Sequence, residues 1–136
     1  MSPRRLLWLL GLACLLGAGA ASAAVVPAAG AAHRSYPARL LVYAQEWSLA
    51  PSRATLPAGT VVVQLWNRGQ DPHDLRIQRM TVAGAMVGRI QGVRVTLPGR
   101  VSSARWTLAP GRYMLFCSLP GHMAAGMHVL ITVRRG

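Results

Sequence analysis

The sequence predicts an all-β protein, a sandwich of about seven short strands in one domain. Short runs that alternate apolar and polar residues recur from about residue 36 onward, a pattern typical of β-sandwiches and barrels rather than of βαβ units. The chain contains 14 Gly and 9 Pro, which favour many turns and argue against a bundle of long helices. Its 136 residues leave room for one domain of ordinary size.

The predicted strands lie between Pro/Gly turns, in which proline fixes its own φ and glycine tolerates positive φ. The turns are predicted at residues 56–59, 67–69, 97–99 and 109–111. The predicted strands, in chain order, are residues 39–44, 60–67, 74–80, 92–97, 104–108, 111–117 and 127–133. Strands of this number and length fit two antiparallel sheets.

Side-chain parity predicts which faces of the strands turn inward, because successive strand residues point to opposite faces. Three faces combine apolar residues with one possible metal ligand each. They are Tyr113, Leu115 and Cys117; His73, Leu75 and Ile77; and Met127, Val129, Ile131 and Val133. His128 has the opposite parity to Met127, so we expect it at the surface.

The N-terminal segment predicts export. Arg4 and Arg5 precede the apolar run 6–16, and small residues end in an A-x-A-like site at Ala23, as in a secretory signal peptide of residues 1–23. The alternative is an uncleaved membrane anchor, because no charged residue occurs between positions 6 and 32. Residues 24–35 are predicted to be a flexible lead and residues 36–136 the domain, located in the periplasm or otherwise outside the cytoplasm.

Cys117 is the single cysteine of the predicted mature chain, because Cys14 lies in the signal segment. A leftover thiol in an oxidising compartment pairs between molecules, stays reactive or is held by another group. Here it opens a C-x4-H-x4-M loop that contains His122 and ends at Met127, and His73 has inward parity on another strand. Two imidazoles, a thiolate and a weak thioether are the ligands of a blue-copper centre. We therefore predict a copper site at His73, Cys117, His122 and Met127.

Residues 67–75 and 110–127 resemble the corresponding segments of the cupredoxins, the small blue-copper proteins, and the spacing of the ligand loop is similar to that of auracyanin and rusticyanin. The resemblance covers almost all of residues 36–136. It implies a cupredoxin-like Greek-key β-sandwich of about seven to eight strands, with the metal at one end. Two positions depart from the family pattern. Asp74 occupies a place where many cupredoxins have an asparagine that ties the ligand loops together, and Val129 replaces a common glycine.

The resemblance implies an exported carrier of electrons between redox partners, with one copper ion that alternates between Cu(I) and Cu(II). The alternative is a protein of the cell envelope that stores or delivers copper, which the methionine content and Val129 favour. We do not expect an enzyme, because Glu46, Asp71 and Asp74 are the only acidic residues available for an acid/base pair.

The charge of the chain predicts its partners. All 15 basic residues are arginines and the net charge is +12 at pH 7, yet 52% of residues are hydrophobic, which excludes a disordered polyelectrolyte. Such a positive field raises encounter rates with acidic partners. We expect a monomer that meets redox proteins with acidic docking surfaces, of the cytochrome or oxidase type, and an anionic membrane surface. Nucleic acid is not an expected partner, because an exported chain seldom meets it.

Overall fold

A computed structural model describes residues 36–136, and the regular elements in this range are all strands. They are β1 (Ala38–Gln45), β2 (Ser48–Pro51), β3 (Thr55–Pro57), β4 (Gly59–Asn67), β5 (His73–Met80), β6 (Met86–Thr96), β7 (Val101–Leu108), β8 (Gly111–Phe116) and β9 (His128–Arg134). No helix in this part of the chain has the length and apolar character needed to cross a membrane. The predicted signal peptide (1–23) and flexible lead (24–35) lie outside the described residues.

The strands form two sheets, one of four strands in the order β2-β1-β4-β7 and one of five in the order β3-β9-β8-β5-β6. This confirms the prediction of an all-β sandwich. The expectation of purely antiparallel sheets is wrong, because β1 pairs in parallel with β4 and β3 pairs in parallel with β9. After β1 and β2 the chain crosses to the other sheet as β3 and returns as β4, so β4 runs in the same direction as β1.

Residues 36–136 contain nine strands, more than the seven to eight expected, and the two that the sequence analysis did not place are β2 and β3. Both are very short and lie at sheet edges, where pairing with a neighbour defines a strand better than apolar alternation does. β6 also begins earlier than predicted, at Met86. Its first half was missed because it lies at a sheet edge and is exposed, without an alternation of buried and exposed residues. The other predicted strands agree with β1, β4, β5, β7, β8 and β9, apart from small shifts at their ends.

The hydrophobic core lies between the two sheets and is built from the inward-facing residues that parity predicts. In the four-stranded sheet, Val61, Val63 and Leu65 of β4 are fully buried. The five-stranded sheet contributes Leu75, Ile77, Leu115, Ile131 and Val133. His128 is exposed, as predicted. Three of the four candidate ligands, His73, Cys117 and Met127, continue these inward faces at the strand ends and are buried.

Candidate metal centre

His73 is the first residue of β5, and a buried amide fixes how the chain enters this strand. The side chain of Asn67, at the end of β4, donates to the carbonyl oxygens of Asp71 (2.7 Å) and Thr96 (2.9 Å). Its Oδ1 accepts the backbone N–H of Gly69 at 2.9 Å. The Asn67 side chain therefore stabilises the loop between β4 and β5 by three hydrogen bonds. At the end of this loop His73 lies in the interior, with an exposed fraction of 0%.

Cys117 and Met127 lie at the two ends of the loop between β8 and β9. Because these strands are antiparallel neighbours, their ends meet, and the Cys117 N–H donates to the carbonyl oxygen of Met127 at 3.1 Å. Between them the chain turns tightly, with Gly121 at φ +81°, a left-handed conformation that favours glycine. The N–H of Met127 then donates to the carbonyl oxygen of His122 at 3.0 Å, which folds His122 back toward the strand ends.

The side chains of His73, Cys117 and His122 converge on one point. The two Nδ1 atoms are 3.2 Å apart, and the Sγ atom of Cys117 is 3.5 Å from Nδ1 of His122. One potential ligand atom from each of the three residues lies within 4.8 Å of the other two. Met127 is fully buried beside them. The structure thus brings together three of the predicted ligands and places the fourth at the base of the same loop.

The chemistry of this group fits a soft, redox-active cation such as copper. Two imidazole nitrogens and one sulfur are a donor set that copper prefers. Burial raises the pKa of the Cys117 thiol, because desolvation disfavours the thiolate. A thiolate in this position needs a compensating positive charge, which a bound metal ion supplies.

Glu46 is part of this region, although the sequence analysis gives it no role in the site. Its Oε1 accepts the backbone N–H groups of Gln70 and Asp71, both at 2.8 Å, and lies 3.0 Å from Nε2 of His73. The Asp71 N–H is the main cause that lowers the pKa of Glu46 to about 2, so the carboxylate is ionised at neutral pH. The signal in the sequence is slight: Glu46 is the only glutamate in the chain.

Asp74 connects the strand of His73 to the loop of Cys117. Its Oδ1 accepts the Ser118 N–H at 2.6 Å, and its Oδ2 accepts the Ser118 hydroxyl and Nε of Arg76, the latter at 2.8 Å. The Asp74 side chain is almost completely buried. Asp74 therefore still connects the two ligand segments, although it replaces the asparagine that is common in the cupredoxins. The acceptor is a carboxylate in place of an amide.

His122 is the candidate ligand nearest to the surface. Trp47 packs edge-on against it, with ring centroids 4.9 Å apart, and is itself 45% exposed. An open hollow of about 590 Å³ lies over the same loop. Its apolar lining is Phe116, Leu119, Pro120, Met123 and Ala124, with His128 at its side.

No protein-family model matches the sequence, and no curated protein matches it. Solved structures do match. The chain is similar to auracyanin from Roseiflexus castenholzii at 23% identity and a TM-score of 0.57, over 71% of this chain and 96% of that one. It is similar to auracyanin A, a "blue" copper protein from Chloroflexus aurantiacus, at 17% identity and a TM-score of 0.58, over 73% and 100% of the two chains. Rusticyanin from Thiobacillus ferrooxidans matches at 21% identity and a TM-score of 0.50, over 71% and 76%.

The chain has a cupredoxin fold. This confirms the fold that the resemblance implied. In this fold the group of His73, Cys117 and His122 lies where the β4–β5 and β8–β9 loops meet, and the β1–β2 connection brings Glu46 and Trp47 to the same place.

Proposed function

We propose that the protein is an exported electron carrier that holds one copper ion at His73, Cys117 and His122, with Met127 as a weak axial ligand. The observation that carries this proposal is the convergence of two imidazole nitrogens and one sulfur within 4.8 Å. Bound copper would supply one-electron chemistry between Cu(I) and Cu(II). The chain contributes a donor set acceptable to both states and a geometry held by the strand ends, so that the ligands move little when an electron is transferred.

Two observations support an electron carrier rather than an enzyme. Of the three acidic residues, Glu46 and Asp74 are already engaged in hydrogen bonds that order the site, which leaves no carboxylate pair for acid/base chemistry. The similar auracyanin A is a blue-copper protein. Export is supported by the signal-like sequence of residues 1–23 and would place the domain in the periplasm or elsewhere outside the cytoplasm, anchored to a membrane if that segment is retained.

The test of this function is a visible spectrum and a redox titration of the protein loaded with Cu(II). We expect one copper ion per chain and an intense visible band that disappears on reduction by one electron. A colourless protein that takes up no copper under oxidising conditions would contradict the proposal. Rapid transfer of copper to an apo-acceptor, combined with slow electron exchange, would instead favour the storage or delivery of copper.

His122 is the proposed point of electron entry and exit, because it is the least buried of the three converging side chains. The apolar hollow over the same loop, which Leu119 and Met123 line, offers a surface that a partner can desolvate. We propose that the arginines orient an acidic redox protein of the cytochrome or oxidase type toward this surface. The same field would attract anionic lipid headgroups. We propose a monomer with no nucleic-acid partner.

The partner proposal predicts a strong salt dependence. The bimolecular rate of electron transfer with an acidic redox protein should fall by about tenfold or more as ionic strength rises, because screening removes the attraction of the arginine field. Stopped-flow kinetics would measure it, with a neutral small-molecule reductant as the control. A rate with the acidic protein that is as insensitive to salt as that of the control would argue against an acidic partner.

Replacing Met127 by leucine tests the axial ligand. The side chain is fully buried and leucine has a similar volume, so the fold should tolerate the change at a cost of about 1 kcal/mol. We expect the visible band to persist and the reduction potential to rise, because loss of the thioether disfavours Cu(II); a tenfold change in the Cu(I)/Cu(II) affinity ratio corresponds to about 59 mV. Met114→Leu, on the outer face of β8, is the matched control. Equal potentials for the two variants would exclude axial ligation by Met127.

A further inference from the structure

The Nε2 atom of His73 contacts a carboxylate that is not itself part of the ligand group. We propose that Glu46 is a positioning residue of the metal centre: it accepts the Nε2–H of His73, so that Nδ1 faces Cys117 and His122, and its charge favours the oxidised over the reduced copper ion. This role presupposes the copper site proposed above and adds a residue that sets its geometry and potential.

The contacts fix the direction of the hydrogen bond. An ionised carboxylate only accepts, so the proton at the 3.0 Å contact belongs to Nε2 of His73, and in the neutral ring, the form that binds a metal, Nδ1 then carries the lone pair. This Nδ1 is the atom that lies 3.2 Å from Nδ1 of His122. Glu46 contacts the imidazole on the side away from these atoms, as a residue outside the ligand group does when it orients a metal-binding histidine.

The carboxylate is itself held in place. Its Oε1 accepts two backbone N–H groups, of Gln70 and Asp71, in addition to the His73 contact. His73 is 0% exposed and the Glu46 side chain only 22%, so solvent screens their interaction less than it screens a surface pair. Because the carboxylate stays where the loop holds it, its orientation of the ring does not depend on a bound metal.

A negative charge on the far side of a ligand ring favours the more positive state of the metal. Hydrogen bonding to a carboxylate makes the imidazole a stronger donor, which also favours that state. The arginine-rich chain, with a net charge of +12, acts in the opposite direction, because a positive field favours the less positive ion. Among the described residues, Glu46 is the only acidic side chain that contacts a ring of the ligand group; Asp74 contacts Ser118 and Arg76 instead.

Gly69 leaves the space that the carboxylate occupies. A Cβ atom at position 69 would overlap the carboxylate oxygens of Glu46. Since these oxygens are the far end of a flexible side chain, an alanine at position 69 would push them away from His73 without changing the backbone conformation. Gly69→Ala is therefore a variant that displaces the charge without removing it, whereas Glu46→Gln removes the charge and keeps the shape.

The experiment compares the reduction potentials of the copper-loaded protein and three variants: Glu46→Gln, Gly69→Ala and the control Asp71→Asn. The side chain of Asp71 is exposed and makes no hydrogen bond within residues 36–136, so the control removes a nearby charge that does not touch the site. We expect Glu46→Gln and Gly69→Ala to raise the Cu(I)/Cu(II) affinity ratio about tenfold, or about 59 mV, with the visible band retained, and Asp71→Asn to shift it much less. Equal potential shifts in Glu46→Gln and Asp71→Asn would overturn the proposal. They would mean that the charge of Glu46 affects the copper ion no more than a nearby charge that does not contact the site.

A second measurement uses the metal-free protein. ¹⁵N NMR of the histidine side chains should show His73 as a single tautomer protonated at Nε2, and Glu46→Ala should convert it to a mixture of tautomers. A mixture in the unaltered protein would overturn the proposal. This readout needs no copper. Failure of the protein to bind copper would refute the proposed function, and the NMR measurement would still test whether Glu46 positions His73.

Discussion

Replacement of Cys117 by serine is expected to abolish the intense visible absorption of the oxidised, copper-loaded protein. Such a band requires a covalent bond between copper and a thiolate, and a serine hydroxyl neither ionises at neutral pH nor matches the softness of sulfur. Cys117 contributes the only sulfur in the group that converges within 4.8 Å, so no neighbouring thiol can replace it. We expect complete loss of the band and a large fall in copper affinity.

The control for this variant is Ser118→Ala, which removes one side-chain oxygen at the next position. The Ser118 hydroxyl bonds to Asp74, but the Ser118 backbone N–H keeps its own bond to that carboxylate when the hydroxyl is removed. The band should therefore persist in Ser118→Ala. A band of full intensity in Cys117→Ser would show that the colour arises elsewhere, and the proposed ligand assignment would then be wrong.

The sequence could predict the convergence of His73, Cys117 and His122 because two local rules suffice for it. Strand parity turns His73 and Cys117 inward, and the C-x4-H-x4-M spacing returns the chain to the neighbouring strand with His122 on the connecting loop. Burial and pairing agree with both rules. The tie through Asp74 was not predictable in the same way, since only the fold shows that this aspartate reaches Ser118.

The contact of Glu46 with His73 depends on a pairing that no local pattern encodes. β1 and β4 are parallel neighbours with Ala44 opposite Asn67, and the Arg68 N–H donates to the carbonyl oxygen of Ala44 at 2.8 Å. The residue two positions after Ala44 therefore reaches the loop that follows Asn67. An antiparallel arrangement, as the sequence analysis expected, would not place these two strand ends together, so the error in topology and the missing role for Glu46 have the same origin.

The acidic residues of this chain are concentrated at the site rather than spread over the surface. Glu46, Asp71 and Asp74 all lie at or next to the loops that surround His73, and no other residue of the sequence carries a negative side chain. The rest of the surface therefore carries arginines with little acidic compensation. This division lets local carboxylates order the ligands while the long-range field remains positive for the approach of an acidic partner.

Replacement of Asp74 by alanine is expected to lower the free energy of unfolding of the metal-free protein by about 3 kcal/mol. Asp74 is 1% exposed, and its removal leaves the Ser118 N–H and hydroxyl without their acceptor. Hydrogen bonds to charged groups contribute about 1.5–3 kcal/mol each, and loss of one partner of a buried ion pair costs about 3–5 kcal/mol. Because the side chain of Arg76 is 36% exposed, water can solvate it after the change, and the total should lie at the lower end of that range.

The matched variant Asp74→Asn separates the tie from the charge. Its amide oxygen can still accept the Ser118 N–H, while the pairing with Arg76 is weakened, so we expect a loss of only about 1 kcal/mol. Urea unfolding with an unchanged m-value would measure both variants. If Asp74→Ala were no less stable than Asp74→Asn, the bonds from Asp74 would not hold the two ligand segments together. With the expected order, copper affinity should fall further in Asp74→Ala than in Asp74→Asn, because only the alanine variant frees the Cys117 loop from the strand of His73.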